Sequence, residues 1–474
     1  MENKLEKDKM LLTQASDAWQ SVELFRRRRR RYKDFAYGRQ WSDTIRDTQG
    51  RIVSEEQYML ENGRLPITNN LIRQLVKSIV GRYRYITSEG VERGVWSLLK
   101  SESKSESRDI SEIDARGLEE FLISGSVIQR LGKKGEELPM VENVSPERMF
   151  FDRFADTSSG KSRFVGMLHD MPLSAVLRRF SQGDRERYIA IKNLYRGREG
   201  RLSSCGSERV VVDFSEPSAA GCCRVIEVWE HLPREIMRCH DYADASYRIE
   251  AYSDRLADEI KALNTERRRR QEPEIEYAFD LVDEWQCTWL APSGEILGRY
   301  SSEAGHPFVM KFYPLVDGEV HSLVEDVVDQ QKYVNRLISL LDSVIASSAK
   351  GVLLYPADQL PEGFTWRDLR RIWSNPVGIL PFKRTSKHII PQQVNSPGAS
   401  TGASDMLRIQ LQLFDEISGT SGAIRGKTSN ASGVGMLEAE LENGTVSLLD
   451  LLASFKAFVE ERDDKMNRMT HLKS

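Results

Sequence analysis

The stretch VHSLVEDVVDQQKYVNRLISLLDSVIASSA, Val320 to Ala349, decides the fold. Val324, Val327, Val328, Val334, Leu337, Ile338, Leu341, Val344 and Ile345 recur at three- and four-residue spacing. That pattern predicts one amphipathic helix of about 30 residues, about 45 Å long. So long a helix exceeds what one compact core needs, and it reads as a strut or an assembly element. Before it come the alternating strand Val225–Glu230, a helix Ser253–Arg270 ending in Arg267 to Arg270, and strands Tyr277–Leu290 and Glu295–Tyr300 around Pro292-Ser293-Gly294. With the strand Phe308–Tyr313 these form a small α/β insert. After it, Val352–Tyr355 and Val377–Pro381 read as short strands and Val394 to Ala403 as a flexible Gly/Ser loop. Asp405–Ile417 reads as a helix, a second Gly/Ser-rich segment runs to Gly435, and a last helix spans Met436 to about Met469.

Further upstream, Asp8 to Tyr37 lacks Pro and Gly and reads as one long amphipathic helix. Inside it, Arg26 to Arg31 spread around the whole circumference, a pattern read as a solvated collar meeting acidic neighbours, with phosphate contact as the alternative. A turn from Gly63 ends in the capping residues Asn69 and Asn70 and starts a helix Leu71–Tyr85. Ile110–Gln129 reads as a helix, Val141 to Asp152 as two short strands around Pro146, and Pro172–Phe180 and Asp184–Tyr195 as surface helices. Arg196 to Ala220, rich in Gly, Ser, Arg and Glu, marks a boundary. The fold class is α+β, mostly helical.

The chain has 474 residues, with 68 Lys+Arg against 71 Asp+Glu and a formal net charge of −3. That balance excludes a globally basic nucleic-acid coat, and no stretch approaches the length of an apolar membrane span. Five cysteines without C-x2-C spacing point to a reducing compartment. Two Lys-containing Gly turns fail as phosphate loops, because Ala155 and Ser421 stand where the first glycine is required. The histidines lie in separate elements, and His169-Asp170 is only a local pair. Cys222, Cys223, Cys239 and His240 form the nearest approach to a metal cluster, though structural thiols fit adjacent cysteines better. Asp326 and Asp329 could hold a metal ion as a pair, but they read rather as solvated carboxylates or partners of a neighbouring subunit's cations. The expectation is no catalytic residue, no metal and no cofactor. Long helices, Gly/Ser loops flanked by a few cations and a near-neutral charge together fit a ring-forming protein that touches nucleic acid weakly.

Several segments resemble the portal protein, or head-tail connector, of tailed bacteriophages, in its podovirus-type form. FAYGRQW at Phe35–Trp41 resembles the turn after the family's first helix, and Asn70 to Val76 the wing helix that follows. DARGLEEFLISG at Asp114–Gly125 resembles the helix ahead of the wing strands, with Val144-Ser145-Pro146 and Asp152 after it. Gln330 to Arg336 resembles the stem helix returning from the clip, Ser347 to Gly351 its end, and Ile417 to Gly422 the bend after the tunnel helix.

The resemblance implies a portal-like architecture of wing, stem and clip with long stem and tunnel helices and little or no crown. Its divisions are an N-terminal helix with the Arg run over 1–40, wing over 41–220, clip-like insert with flanking stem over 221–313, stem helix over 314–351, and wing again over 352–474 with the tunnel loop and helix. It implies a ring, usually of twelve subunits, at one capsid vertex of the virion, assembled in host cytoplasm, without catalysis or membrane. Double-stranded DNA would pass through it in packaging and ejection, and the terminase large subunit, capsid protein and tail or adaptor proteins would dock on it. Gln392–Ser404 or Ser418–Gly435 would be the tunnel loop. DNA-facing candidates are Lys383, Arg384, Lys387, His388, Ser396, Gly398, Ser400, Gly402, Arg408, Arg425 and Lys427. Stem or subunit-interface candidates are Asp329, Gln331, Asn335 and Arg336. The rival readings are another virion adaptor, or a nuclease or ATPase acting on nucleic acid.

Overall fold

The structure, a computed structural model, describes residues 2–47, 49–89, 108–132, 141–152, 162–197, 211–313, 319–348, 352–354, 365, 367–368, 392–394, 399–419 and 448–471. Along the chain run α1 (Glu2–Ser21), α2 (Glu23–Ala36), β1 (Thr44–Arg46), β2 (Ile52–Ser54), α3 (Glu55–Glu61), α4 (Leu71–Glu89), α5 (Arg108–Ser124), β3 (Ser126–Leu131), β4 (Val141–Asn143) and β5 (Met149–Phe151). There follow β6 (Phe164–Pro172), α6 (Leu173–Ser181), α7 (Arg185–Leu194), β7 (Cys222–Asp241), β8 (Ser246–Ala251), α8 (Asp254–Arg270), β9 (Ile275–Leu290), β10 (Ile296–Ser302) and β11 (Phe308–Phe312). The chain continues with α9 (Leu323–Ser348), β12 (Val352–Leu354), β13 (Gln392–Val394), α10 (Ala399–Ile417) and α11 (Leu449–His471). The class is α+β, as the sequence predicts. Two units divide it: Met1–Lys33 with Val76–Glu325 and Ser429–Ser474, and Asp34–Leu75 with Asp326–Thr428.

The first unit is built on an antiparallel sheet of order β10-β9-β7-β6-β5, with β8 added to the far half of β7. At about 3.3 Å per residue the 20-residue β7 is about 65 Å long. Its first half is buried on both faces. Ile226 and Val228 pack with Leu11, Ala15 and Trp19 of α1, whereas Val225 and Trp229 pack with Val176, Leu177 and Phe180 of α6. Gly166 of β6 lets this sandwich close: a Cβ there would overlap the Phe150 ring and come 2.6 Å from the Glu227 carbonyl oxygen. The stretch Arg196–Ala220 falls between α7 and β7, and β6 and β7 on either side of it in sequence pair from Phe164↔Glu230 to Pro172↔Cys222.

Beyond this core β7 and β9 continue as a ribbon that carries β8 and α8. Ala257 and Ile260 of α8 cover Met237, Cys239 and Ile275. Ser253 caps the helix by accepting from Leu256 N, and Asn264 bonds both backbone groups of Ile275. A second sheet, β11-β3-β4, packs on α5 and α11, where Phe121 meets Phe455. Here the predicted helix Ile110–Gln129 is corrected. It stops at Ser124, Gly125 turns with φ +69°, and Ser126 onward is fully buried strand. A Cβ on Gly125 would lie 2.7 Å from Val320 Cγ1 and 2.8 Å from the Tyr313 carbonyl oxygen, so only glycine makes that turn.

Two further expectations change. The first helix is two, broken at Val22. The arginine run is not a solvated collar, because helical spacing turns Arg26 and Arg29 inward with Val22 and Phe25. The Arg26 guanidinium lies 3.5 Å from the centre of the Trp19 ring, and Arg29 forks onto Glu120 at 2.6 and 2.8 Å and reaches Glu147 at 2.8 Å. The expected acidic neighbours are there, but the contact is buried.

In the second unit, β1 and β2 form an antiparallel pair, α3 follows Ser54 as its N-cap, and β12 pairs with β13. Helix α9 covers most of its predicted range. Val327, Val328, Val334 and Leu337 are buried, as the spacing requires. The strand predicted at Val377–Pro381 and the first part of the terminal helix, 436–447, fall outside the described residues.

Candidate functional site

Gln331, Asn335 and Ser339 are spaced four apart and share one face of α9. That face holds the extended backbone leading into α4. Ile67 N donates to Ser339 Oγ at 3.0 Å, Asn69 N to Asn335 Oδ1 at 3.0 Å, and Leu71 N and Ile72 N to Gln331 Oε1 at 2.8 and 3.2 Å. Gln331 thus helps to cap the first turn of α4 from another helix, alongside Asn70, whose Oδ1 accepts from Arg73 N at 2.9 Å. Its own amide donates to the Asn69 carbonyl at 2.7 Å and to Asn335 Oδ1 at 3.0 Å.

The third strand of this joint is the turn Phe35–Trp41. Gly38 adopts φ +94°, and Gln40 folds back so that its Nε2 donates to the Phe35 carbonyl at 2.8 Å while its Oε1 accepts from Asn335 Nδ2 at 2.5 Å. Trp41 Nε1 donates to Thr68 Oγ1, Asn70 Nδ2 to the Ala36 carbonyl, and Arg73 lies over the Tyr37 ring. Around the rim Lys332 meets Asp43 at 2.7 Å, and Arg336 meets the buried Glu55 at 2.6 Å. Gln40, Gln331, Asn335 and Ser339 are each at most 1 % exposed, so the groups saturate one another out of water. Chemically this is a mechanical joint: it fixes the course of three chain segments and offers no reacting group to solvent.

A second polar cluster lies inside the main sheet of the first unit. Glu227, fully buried in β7, accepts from Arg130 Nη2 at 3.1 Å and Trp229 Nε1 at 2.9 Å, and contacts His169 Nε2 at 2.7 Å. Burial pushes this carboxyl up, but Arg130 and then His169 outweigh it and hold it at about 2. Burial lowers His169 despite Glu227, so the imidazole is neutral and donates. Cys287 stands nearby with its thiol pushed up by burial. A His–Glu pair beside a thiol has the composition of a reacting set, yet the thiol is held protonated and Cys287 is wholly buried. This cluster is structural. So is Asp114, which Arg462 of α11 pairs inside the protein.

Of the predicted residues, Gln331 and Asn335 are buried in the joint, Arg336 sits on its rim, and Asp329 is exposed. Lys383, Arg384, Lys387, His388, Ser396, Gly398, Arg425 and Lys427 lie outside the described residues. Ser400 and Gly402 are corrected from loop to helix, because α10 begins at Ala399; Gly402 and Arg408 are exposed on it. One helical glycine costs only about 1 kcal/mol relative to Ala, too little to stop a helix that Ala399, Ala403 and Leu407 favour. The cysteines sit as thiols on a strand, the reading preferred from the sequence: Cys222–Cys223 and Cys239–His240 stand near opposite ends of β7, about 50 Å apart at strand rise. No group of three metal ligands occurs among the described residues, and no helix among them is long and apolar enough to cross a membrane. Sequence reasoning missed Glu227, Arg130 and Arg462. The available signal was a charge inside the apolar run Val225-Ile226-Glu227-Val228-Trp229.

A search of the curated proteins found no match. The family model of the phage P22-like portal protein matches residues 127–459, from β3 through the sheet, ribbon and α9 into α11. That span takes in Gln331 and Asn335 of the joint and Glu227 of the sheet cluster, and it covers well over half of the sequence: the chain belongs to the phage P22-like portal protein family.

Proposed function

We propose that this chain is the portal subunit of a tailed phage: copies form a ring at one capsid vertex, through which genome DNA is packaged and later ejected. The observation that carries this reading is the family match over residues 127–459. In this reading the ribbon with β8 and α8 belongs to the clip, α9 is the stem helix and α10 the tunnel helix. Gln392–Ser404 and Ser418–Gly435 remain the two tunnel-loop candidates, the first now shortened by the start of α10 at Ala399. Terminase, capsid protein and tail or adaptor proteins are the expected partners, and twelve the expected number of subunits.

The mechanism is electrostatic and mechanical. A duplex must slide past the protein, so the channel needs a few mobile cations rather than a continuous basic strip, since each phosphate contact adds salt-dependent affinity. Lys383, Arg384, Lys387, His388, Arg408, Arg425 and Lys427 are the candidates for those contacts. Ser396, Gly398, Ser400 and Gly402 are the small residues beside them. Asp329 and Arg336, both exposed, are the stem positions available to a neighbouring subunit, whereas Gln331 and Asn335 support the stem from within. Negative-stain imaging of the purified protein tests the reading: rings with a central hole support it, and a field of single compact particles opposes it.

A further inference from the structure

The ribbon has apolar residues in water on both of its faces. Strict pairing from Ile226↔Leu290 to Asp241↔Ile275, without a bulge, assigns those faces. On the face that α8 partly covers, Phe279 and Leu281 are 53 % and 55 % exposed, beside Glu235 and Asp283, which are also exposed. On the opposite face Leu232 and Val282 are each 40 % exposed. They stand beside Arg234 and Arg238, whose side chains are 49 % and 44 % exposed even while pairing with Glu284 and Asp280. Where it lacks β8, at Leu232–Glu235 paired with Leu281–Glu284, the ribbon is two-stranded and wet on both sides, and such a stretch gains little from burial.

We propose that the occupant of this ribbon is a second copy of the chain, seated head to tail: the Phe279–Leu281 face of one subunit packs on the Leu232–Val282 face of the next. Three features argue for this. Each face has an apolar pair of similar size, so both are covered in one contact. The flanking charges can interlock: one face offers the carboxylates of Glu235 and Asp283, and the other the guanidiniums of Arg234 and Arg238 alternating with Glu284 and Asp280, where a guanidinium already in one ion pair retains donors for a second carboxylate. The two faces also differ, and joining unlike faces is the heterologous geometry that closes rings, whereas a two-fold dimer would bury one face and leave the other wet. The inference rests on the ring proposed above and assigns part of its contact surface.

Two variants test it, Phe279→Asp with Leu281→Asp and Leu232→Asp with Val282→Asp. All four side chains are exposed, so circular dichroism and the thermal midpoint should match wild type. Each variant alone is expected to lower the ring fraction about tenfold or more, because a charge is placed at the centre of the contact. Mixed in equal amounts they should form dimers, since each retains the face the other has lost. Glu235→Arg with Asp283→Arg, which leaves the apolar residues in place, should also weaken the ring, more so at low salt. Wild-type rings that persist unchanged in both Asp variants, or a mixture that stays monomeric, overturn this contact while leaving the ring itself standing. A wild-type chain that never assembles overturns both.

Discussion

Asn335 on the long helix donates to Gln40 Oε1 at 2.5 Å, a hydrogen bond between two buried amides 295 positions apart in the sequence. Each amide also serves backbone: Gln40 reaches the Phe35 carbonyl and Asn335 accepts from Asn69 N. The bond therefore ties the turn after α2 and the entry to α4 to one helix.

Replacing Asn335 by Leu leaves Gln40 Oε1 and Asn69 N without their partner in a buried place. A loss of about 2–4 kcal/mol is expected, one desolvated group adding about 1–3 kcal/mol. Ser339→Ala, which frees only the Ile67 N–H, should cost about 1 kcal/mol. Urea unfolding monitored by tryptophan fluorescence gives both values, and equal small losses would mean that water fills the joint.

Stability should fall with acid in two stages. His169 and His306 are lowered by burial, so their folded forms resist the proton, and the stability they hold above about 6.5 is lost as pH falls below it. Glu227 is held at about 2 against an ordinary 4.5, so its contribution is full above about 4.5 and disappears as pH drops toward 2, about 3 kcal/mol in all. Glu227→Gln should flatten the lower stage and, by leaving Arg130 buried without its counter-charge, destabilise the protein at neutral pH by about 3–5 kcal/mol. Denaturant midpoints across pH 2 to 8 check the shape.

Arg462 and Asp114 are each 1 % exposed and pair across 348 positions. Arg462→Met alone should cost about 3–5 kcal/mol, because it leaves the Asp114 carboxylate buried without its counter-charge, whereas Asp114→Leu should cost less, because Arg462 keeps its ion pair with Asp463 at 2.9 Å. Both together should cost clearly less than the sum, a coupling that a double-mutant cycle measures. Additive losses would show that the two residues act separately.

Replacing Lys383, Arg384 and Lys387 with Ala is expected to leave rings intact and alter DNA packaging, with a smaller salt dependence than wild type. Packaging assays at two salt concentrations read this out. Loss of the rings instead would mark these residues as subunit contacts.

Local chemistry made the helices legible. Ser253 announced the start of α8, Asn70 that of α4, and the valine spacing most of α9. The sheet was only partly legible, since the full length of β7 depends on β6 and β9 lying beside it, and the exposed stretch from Leu232 to Glu235 has no apolar alternation to read. The joint was legible as three separate segments, Phe35–Trp41, Asn70–Val76 and Gln330–Arg336, but not as one place. Polar residues four apart on a helix look solvated until the backbone N–H groups they serve are known. The buried arginines were hidden for the same reason: a run of six shows no preferred face, and the carboxylates of Glu120 and Glu147 that select Arg29 lie far away in sequence.

The most direct test of the portal reading is the native mass of the purified protein by light scattering. Twelve copies of 54.2 kDa (12 × 54.2) give about 650 kDa, and a mass near that value, in a multiple set by ring size, is the expected result. A single species of 54.2 kDa at every concentration would contradict it.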